Sequence, residues 1–378
     1  MKSADIAAII LSAGLSERMG RFKPLLPLAG RCTIDRAVDL FRGAGIEEIL
    51  VVAGHRADEV FRALEPFNIR PVINPDYRQG MFSSVLTGVR SLSDQCPAFF
   101  IHPVDIPLVR SRTVQRLTKA FLDHPSDVLY PTFDGRRGHP TLIRTGLIPF
   151  ILQWPGDGGL KGCLQRHGTD SRELPVIDEA ILLDLDTPGD YDGMLERLTS
   201  EGLPSAEECR VLMEEMQIAS TPIADHCRAV AKAALALSGA LIAAGVAMDM
   251  ELVRSAALLH DIARDRKNHA QAGAHLLERH GFDRLAPIVG AHMDIDASVD
   301  QPVDEDQVVY LADKVMEGDR YADLDPRFRS KMGKCTTDRG AVEAIGRRWE
   351  NARMIRAKVE RITGRSIEDI LENFHGEE

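Results

Sequence analysis

The sequence predicts two domains of different fold class, a doubly wound, Rossmann-like α/β domain at residues 1–200 and an all-α domain at residues 205–378. In the first half, short apolar segments typical of buried strands alternate with segments whose apolar residues recur at helical spacing. In the second half only the helical spacing remains. The length of 378 residues also exceeds the usual size of one hydrophobic core, so two domains are expected.

The elements of the first domain follow one another as strand–helix–strand units. Strands are expected at residues 6–10, 48–54, 70–73, 98–102 and 128–131, and helices at residues 33–44, 57–64 and 83–92. Such units form a parallel sheet with right-handed crossovers. Ligands bind these sheets beyond the carboxyl ends of the strands, so functional residues are expected in the loops that follow the strands.

A change of composition marks the domain boundary. Residues 195–220 contain Glu, Ser and Pro residues and the sequence Gly202-Leu203-Pro204. Beyond this segment, helices are expected at residues 206–217, 223–244, 249–263, 268–280, 284–292, 305–317 and 339–362. No segment there alternates as a strand would, so the second domain is predicted to be all-α.

Composition excludes several classes of protein. With 44% hydrophobic and 27% charged residues the chain is typical of an ordinary soluble globular protein, and its net charge of −11 argues against a nucleic-acid or anionic-membrane partner. The acidic excess lies in the second half. The start of the chain lacks a signal pattern, and the six scattered cysteines indicate neither a zinc ribbon nor a disulfide framework. A cytoplasmic location is expected.

The loop after the first strand is suited to phosphate. Gly14 and Gly20 let backbone N–H groups approach a ligand, and Arg18 and Lys23 add positive charge. The loop is neither a Walker A motif nor a G-x-G-x-x-G fingerprint, because its glycines are six residues apart and no Ser or Thr follows Lys23.

Two later loops carry polar residues where a strand ends. Ser83 and Ser84, after Gly80, are expected either to cap the next helix or to contact a ligand. Asp105 follows an apolar strand and is flanked by Pro103 and Pro107, which restrict the backbone around it. A carboxylate there suits Mg²⁺, which takes one or two protein carboxylates together with substrate phosphates.

Polar residues embedded in apolar helices single out a second site. In order, they are His226, His260, Asp261, His269, His292 and Asp313. An adjacent His and Asp on a buried stripe is costly unless the two are paired or bind a metal. His275 lies about 240° around a helix from His269. His275 and His280 are therefore expected to be surface or core residues.

Five segments of the first domain resemble the MobA-like NTP transferases, and among them the molybdenum-cofactor cytidylyltransferases. Residues 11–28 read L-S-A-G-x-S-x-R-M-G-x-x-K-x-L-L-P-L, and the other segments lie at residues 74–85, 103–109, 135–140 and 183–191. The resemblance covers residues 1 to about 195. Ser12-Ala13-Gly14 is closer to the cytidylyl version of the motif than to the guanylyl version, which implies CTP.

The resemblance implies roles for individual residues. Nucleotide contacts fall on Ser12, Ala13, Gly14, Gly80, Ser83 and Ser84. Catalytic roles fall on Arg18, Lys23 and Asp105, magnesium ligation on Asp105 and Asp186, and acceptor binding on His139 and Lys161. Lys161 stands where relatives commonly have Arg. The alternative for Asp184 and Asp186 is a turn cap, and that for His139 is a structural turn histidine.

The second domain resembles the HD superfamily of metal-dependent phosphohydrolases over residues 220–320, with residues 257–263 (A-L-L-H-D-I-A) as the central signature. The resemblance implies that the six His and Asp residues are metal ligands. His269 and His292 are similar to those of members with two metals, such as bacterial diadenosine tetraphosphate hydrolases. Mixed imidazole and carboxylate ligands favour one or two transition metals such as Fe or Mn. Two such ions would support phosphoester or phosphoanhydride hydrolysis.

A bifunctional enzyme is therefore expected. The first domain would transfer CMP from CTP to a molybdopterin-type phosphorylated acceptor with release of pyrophosphate, and the second would be a phosphohydrolase. Expected partners are the NTP, the acceptor, and a molybdoenzyme or its maturation factors. The alternative is a sugar- or alditol-phosphate nucleotidyltransferase whose HD half is a nucleotide-sensing regulatory module; the intact ligand set favours hydrolysis.

Overall fold

The computed structural model describes residues 5–93, 95–166, 170–334 and 339–372. The chain forms two compact units that divide between Glu201 and Gly202. The first is a sheet flanked by helices and the second is helical, so both predicted fold classes are confirmed. Residues 1–4 and Cys335, which entered the sequence interpretation, lie outside the described residues.

The first unit contains one large sheet and one small ribbon. Its strands are β1 (Ala7–Ser12), β2 (Pro27–Leu28), β3 (Arg31–Cys32), β4 (Glu48–Ala53), β5 (Arg70–Ile73), β6 (Ala98–Pro103), β7 (Val128–Phe133), β8 (Arg136–Arg137), β9 (Thr141–Arg144) and β10 (Ser171–Pro175). β2 and β3 form the ribbon. The other eight form the sheet in the order β10-β7-β9-β6-β1-β4-β5, with β8 paired to β7.

Seven α-helices accompany these strands. They are α1 (Thr33–Gly43), α2 (Ala57–Ala63), α3 (Met81–Arg90), α4 (Ser111–Asp123), α5 (Ile148–Gln153), α6 (Gly159–Arg166) and α7 (Pro188–Thr199). The predicted strands and helices up to β7 are all present, with ends displaced by a few residues.

The expectation of a wholly parallel sheet is wrong at β9. This strand lies between β6 and β7 and is antiparallel to both. The connection from Phe133 to Thr141 is too short to hold the crossover helix that parallel pairing needs, so the chain turns back on itself. β1, β4, β5 and β6 remain parallel, as do β7 and β10.

The position of β1 decides where the first site lies. All six of its residues are buried, because β4 and β6 pair with its two edges and the helices α1 and α3 pack on it. α3 packs closely on this part of the sheet, since a Cβ at Gly88 would come within 2.6 Å of Ile9. Leu11 of β1 lies opposite Pro103 of β6, so the loops after these two strands meet at one edge.

The second unit is built from helices. They are α8 (Ala206–Glu215), α9 (Pro222–Ala243), α10 (Met250–Leu259), α11 (His269–His280), α12 (Ala286–Ala291), α13 (Glu305–Val315), α14 (Leu324–Lys334), α15 (Arg339–Thr363) and α16 (Ile367–Ile370). Between α13 and α14 lies a ribbon of two short antiparallel strands, β11 (Met316–Glu317) and β12 (Arg320–Tyr321). The ribbon, α14 and α16 were not expected from the sequence.

The helix α9 forms the centre of this unit and packs against α10, α13 and α15. Among the described residues it is the one helix whose length and composition would suffice to cross a membrane. Half of its most apolar stretch is buried within the unit, as expected of a core helix.

Candidate active sites

The loop after β1 is held in place by its own polar groups. The backbone N–H of Lys23 donates to Ser16 Oγ over 3.0 Å, and Ser16 itself has a left-handed backbone, with φ of 60°. The backbone N–H of His55, which follows β4, lies 3.4 Å from the Ala13 oxygen. The loop is therefore tied both to itself and to the neighbouring strand.

Lys23 is the centre of a charged cluster at the end of the sheet. Its Nζ lies 3.1 Å from Asp105 Oδ2 and 2.6 Å from Asp186 Oδ1. Arg18 also contacts Asp186, at 2.8 Å. The Lys23 side chain is only 10% exposed, whereas that of Arg18 is 72% exposed, so Arg18 reaches Asp186 from the solvent side of the cluster.

A third carboxylate, that of Asp184, lies close to those of Asp105 and Asp186. Burial raises the pKa of Asp184, and the negative charges of Asp105 and Asp186 raise it further. The structure thus brings together both aspartates for which the sequence left a metal role open. Asp186 contacts Arg18 and Lys23. Asp184 is close enough to Asp105 and Asp186 for their charges to affect its pKa.

A cavity of about 340 Å³ opens beside Lys23. Of the residues singled out from the sequence, it is lined by Ala13, Gly14, Lys23, Gly80, Ser84 and Asp105. Ser12, Ser83 and Arg18 are not part of its wall, and Ser12 is 1% exposed. Tyr77 and Arg78 line the cavity but were not singled out, although they lie in a segment, residues 74–85, that carries the family resemblance.

Ser83 and Ser84 are not helix caps, which corrects one of the two expectations for them. α3 already begins at Met81, with Gly80 before it in a conformation of φ 98°. The buried Asn74 side chain donates to both serine hydroxyl oxygens, over 2.9 and 3.0 Å. The serines therefore fix the turn that joins β5 to α3 and so shape the cavity wall.

A second cavity, of about 440 Å³, adjoins the first and shares Leu11, Met81 and Pro103 with it. His139 and Lys161 both line it, as do the aromatic rings of Phe82 and Tyr130. Lys161 lies in the first turn of α6, not in a loop as expected. This cavity combines apolar walls with a basic rim.

His139 is half-buried in the wall of this cavity. Burial lowers the pKa of its imidazole more than the nearby Asp105 carboxylate raises it. The preceding Gly138 leaves no room for a side chain, because a Cβ there would lie 2.4 Å from the Ile181 oxygen. The backbone before His139 is thereby pressed against the short 3₁₀ turn that contains Ile181.

We expect Gly14→Ala to weaken nucleotide binding without affecting folding. A Cβ at Gly14 meets no heavy atom within 4 Å, yet Gly14 lines the cavity beside Lys23. The methyl group would occupy ligand space, and we expect the Kd for CTP to rise by about tenfold, or 1.4 kcal/mol. Isothermal calorimetry would measure it. Gly193→Ala, equally unobstructed but on α7, is the control and should leave the Kd unchanged; equal affinity in both variants would contradict the prediction.

In the second unit, four imidazoles and two carboxylates converge. His226 lies on α9, His260 and Asp261 follow α10, His269 begins α11, His292 follows α12 and Asp313 lies on α13. All six predicted ligand residues are thus brought into one place by five helices. His275, expected to be elsewhere, is exposed and pairs with Glu278.

Three of the histidines are oriented by backbone carbonyls. Nδ1 of His226 donates to the Gly318 oxygen, Nδ1 of His260 to the Ala257 oxygen and Nδ1 of His292 to the Val289 oxygen, over 2.8, 2.8 and 2.6 Å. For His260 and His292, the proton on Nδ1 leaves the lone pair of Nε2 facing the cluster. This is the arrangement that metal-ligating histidines commonly have.

The Nε2 atoms surround the carboxylates in two groups. His226, His260 and Asp261 form one group and Asp261, His269 and His292 the other, and within each group the ligand atoms lie within 4.8 Å of one another. Asp261 belongs to both. Its oxygens lie 3.6 Å from His260, 3.2 Å from His269 and 3.4 Å from His292.

Asp313 completes the first group. Its Oδ1 lies 3.1 Å from His226 Nε2 and 3.8 Å from His260 Nε2. Burial would raise the pKa of this carboxyl, but Lys314 and the imidazoles outweigh burial and hold the pKa well below its usual range. Asp313 is therefore held as a buried anion by the cation and the imidazoles around it.

Two observations show that these residues fit divalent metal ions. Nε2 of His260 and Nε2 of His292 are buried and have no hydrogen-bond partner among the described residues. Burial lowers the pKa of His260 to about 4, so its ring is neutral and has a lone pair to donate. An orphaned imidazole nitrogen beside an ionised carboxylate is what a metal ligand set requires.

Two protein-family models match the chain. A model of the MobA-like NTP transferase domain matches residues 8–171, and a model of the HD domain matches residues 223–316. The second match contains all six converging His and Asp residues. Asp186 lies beyond the end of the first match.

Several similar proteins correspond to the first half of this chain alone. Molybdenum cofactor cytidylyltransferase of Escherichia coli (strain K12) is 29% identical over 196 residues, which are 51% of this chain and 97% of that protein. Nicotine blue oxidoreductase of Paenarthrobacter nicotinovorans is 32% identical over 191 residues, 48% of this chain and 92% of that protein. The crystal structure of Rv0371c from Mycobacterium tuberculosis H37Rv aligns with a TM-score of 0.46 at 24% identity, over 52% of this chain and 100% of that chain.

Proposed function

Because the chain belongs to the MobA-like NTP transferase family through residues 8–171 and carries an HD domain at residues 223–316, we propose that it has two active sites. The first unit transfers CMP from CTP to a phosphorylated pterin of the molybdopterin type and releases pyrophosphate. The second unit is a metal-dependent phosphohydrolase. The observation that carries the first assignment is Lys23, placed between Asp105 and Asp186 at the wall of a cavity.

In this proposal the first cavity holds the nucleotide. Backbone groups around Gly14 bind the triphosphate, and Arg18 and Lys23 neutralise the charge that builds up as pyrophosphate leaves. Asp105 and Asp186 would hold Mg²⁺, which supplies further stabilisation of the phosphate oxygens when bound. A phosphate oxygen of the acceptor attacks the α-phosphorus of CTP, and the bond from that phosphorus to the oxygen bridging to the β-phosphate breaks.

The second cavity is proposed to hold the acceptor. Its aromatic walls suit a planar ring, and Lys161 supplies a cation for an acceptor phosphate. Because the cavities share Leu11, Met81 and Pro103, the two substrates would lie side by side, as in-line transfer needs. His139 is available as a hydrogen-bonding group on this wall.

The choice of acceptor rests on the cytidylyltransferase relative. Its name describes transfer to the molybdenum cofactor, whereas the relative from Paenarthrobacter, of similar identity, is named for a different reaction. A sugar or alditol phosphate is therefore the alternative acceptor. The aromatic pair of Phe82 and Tyr130 favours the pterin, since a sugar alcohol offers no flat ring to stack.

For the HD unit, hydrolysis is favoured over a purely regulatory role. The six ligand residues are all present and converge, and two imidazole nitrogens are left without a hydrogen-bond partner among the described residues. A sensor without turnover has no need for a complete ligand set. Fe or Mn is the proposed ion, because the ligands mix nitrogen and oxygen.

Pyrophosphate release by the purified full chain tests the transferase. CTP, GTP, ATP and UTP would each be supplied with Mg²⁺, with and without a molybdopterin-type acceptor. Release that needs both CTP and the pterin is the expected result. Pterin-independent release with a sugar phosphate would select the alternative acceptor, and the absence of release with every pair would overturn the transferase assignment.

A further inference from the structure

The cavity over the HD metal cluster has an excess of positive charge. It measures about 330 Å³ and is bounded on one side by His226, Asp261 and Asp313. Its basic side chains are Arg264, Lys314, Arg327, Lys331 and Arg348. The two carboxylates in the wall are thus outnumbered by five cations before any metal ion is counted.

Three of these cations already have carboxylate partners. Arg264 lies 3.2 Å from Asp261 Oδ1, and Lys314 is bound to Asp313. Arg348 binds Asp294 through two nitrogens, each over 2.7 Å. These pairs are neutral overall, so the positive charge that remains belongs to the other two side chains.

Arg327 and Lys331 are those two, and both lie on α14. Within the described residues neither is within 4.0 Å of a carboxylate. Arg327 donates through Nη1 to the backbone oxygens of Asp313 and Lys314, but its Nε is buried with no acceptor among the described groups. Their spacing of four residues places both on one face of the helix, over the cavity.

Arg327 is half-buried and Lys331 is exposed at the rim of the cavity, and both side chains lie beside other positive charges. Burial lowers the pKa of Lys331, and the charges of Arg327 and Lys314 lower it further. The Lys331 ammonium lies 5.8 Å from the ring of the buried Phe328. Two cations that repel each other in a partly apolar wall are stabilised when an anion binds between them.

From this arrangement we infer that Arg327 and Lys331 form a second phosphate subsite, and that the HD unit takes substrates with two phosphates joined by a P–O–P anhydride. The inference rests on the proposed hydrolase function. One phosphate would lie at the His and Asp cluster and its neighbour beside α14. A phosphomonoester has no group for this subsite, so the cavity discriminates against it.

The reaction that follows is hydrolysis of the anhydride. The oxygen of water forms a bond to the phosphorus at the cluster, and the bond from that phosphorus to the bridging oxygen breaks. The bridging oxygen leaves on the phosphate held by Arg327 and Lys331, and one proton of water passes to that departing phosphate. No oxidant or further reactant is needed.

Lys331→Met is the decisive variant, because Lys331 has no hydrogen bond within the described residues that its loss would break. Its matched control is Lys334→Met, at the end of the same helix and outside the cavity wall. With Mn²⁺, the full chain would be assayed on CDP, a dinucleoside diphosphate, inorganic pyrophosphate and p-nitrophenyl phosphate. We expect Lys331→Met to raise the KM for the anhydrides by about tenfold and to change that for the monoester less than twofold.

Binding provides a second readout that does not depend on turnover. Calorimetry with imidodiphosphate, which has a nonhydrolysable bridge, should show weaker binding to Lys331→Met than to Lys334→Met, with no such difference for inorganic phosphate. The first unit is identical in both variants, so imidodiphosphate bound there does not contribute to the difference between them. Equal imidodiphosphate affinity, or equal use of monoester and anhydride, would overturn the subsite. A binding difference without hydrolysis of any substrate would support the subsite and refute the hydrolase.

Discussion

Replacing Lys23 with alanine is expected to reduce nucleotidyl transfer by about 10³-fold. Removal of one preorganised donor that faces developing charge typically costs 10²–10³-fold in kcat. The loss for Lys23→Ala is expected at the upper end of this range, because the Lys23 ammonium also contacts Asp105 and Asp186, at 3.1 and 2.6 Å. Without it, two like charges face each other at the place where the triphosphate must bind, so CTP affinity should fall as well.

The same change removes the partner of two half-buried carboxylates, so stability must be measured separately. We expect the thermal midpoint of unfolding to fall by a few degrees, and kinetics should therefore be followed well below that temperature. Arg21→Ala is the matched control, since Arg21 belongs to the same loop but lies over the ring of Tyr191, 5.4 Å away. Transfer by Lys23→Ala within threefold of wild type would refute the catalytic assignment.

The second large effect is expected for Asp261→Asn. Because Asp261 belongs to both metal groups, one neutralised carboxylate should empty both, and the metal content should fall from two ions per chain towards none. Loss of the ions would remove several kcal/mol of transition-state stabilisation, so hydrolysis should fall by about 10³-fold or more. Inductively coupled plasma spectrometry after dialysis would count the ions.

A variant that changes a ligand of the second group only is the comparison for Asp261→Asn. His292→Ala removes a ligand that only the second group contains, and we expect it to retain one ion per chain. His275→Ala, an exposed histidine paired with Glu278, should retain both. If Asp261→Asn still held two ions, the arrangement with a shared carboxylate would be wrong.

Sequence reasoning predicted the elements whose signal is local. β1 and β6 are continuous apolar runs that are fully buried, and the loops that follow them meet at one edge of the sheet, as expected. α14 was missed because only Leu324 and Phe328 of its residues are buried, so its apolar pattern is too sparse to mark a helix. Arg327 and Lys331 were missed with it.

The order of side chains around each centre depends on contacts between distant parts of the chain. The linear order of His and Asp indicated a metal site, but the sharing of Asp261 between two groups follows from how α10, α11 and α12 pack. Likewise, nothing local links Lys23 to Asp105 and Asp186, which are 82 and 163 residues away. For Ser83 the sequence left a helix cap or a ligand contact open, and it did not show the hydrogen bond from the buried Asn74, which lies nine residues earlier in the chain.

Lys23 and Asp186 lie so far apart in the sequence that their contact can form only late in the synthesis of the first unit. At roughly 5–20 residues per second, a ribosome needs roughly 8–30 s to add the 163 residues that separate the two side chains. Throughout that interval Lys23 lacks one of its two acidic partners. The contact between Lys23 and Asp186 can therefore form only after residue 186, which lies just before α7, has been added to the chain.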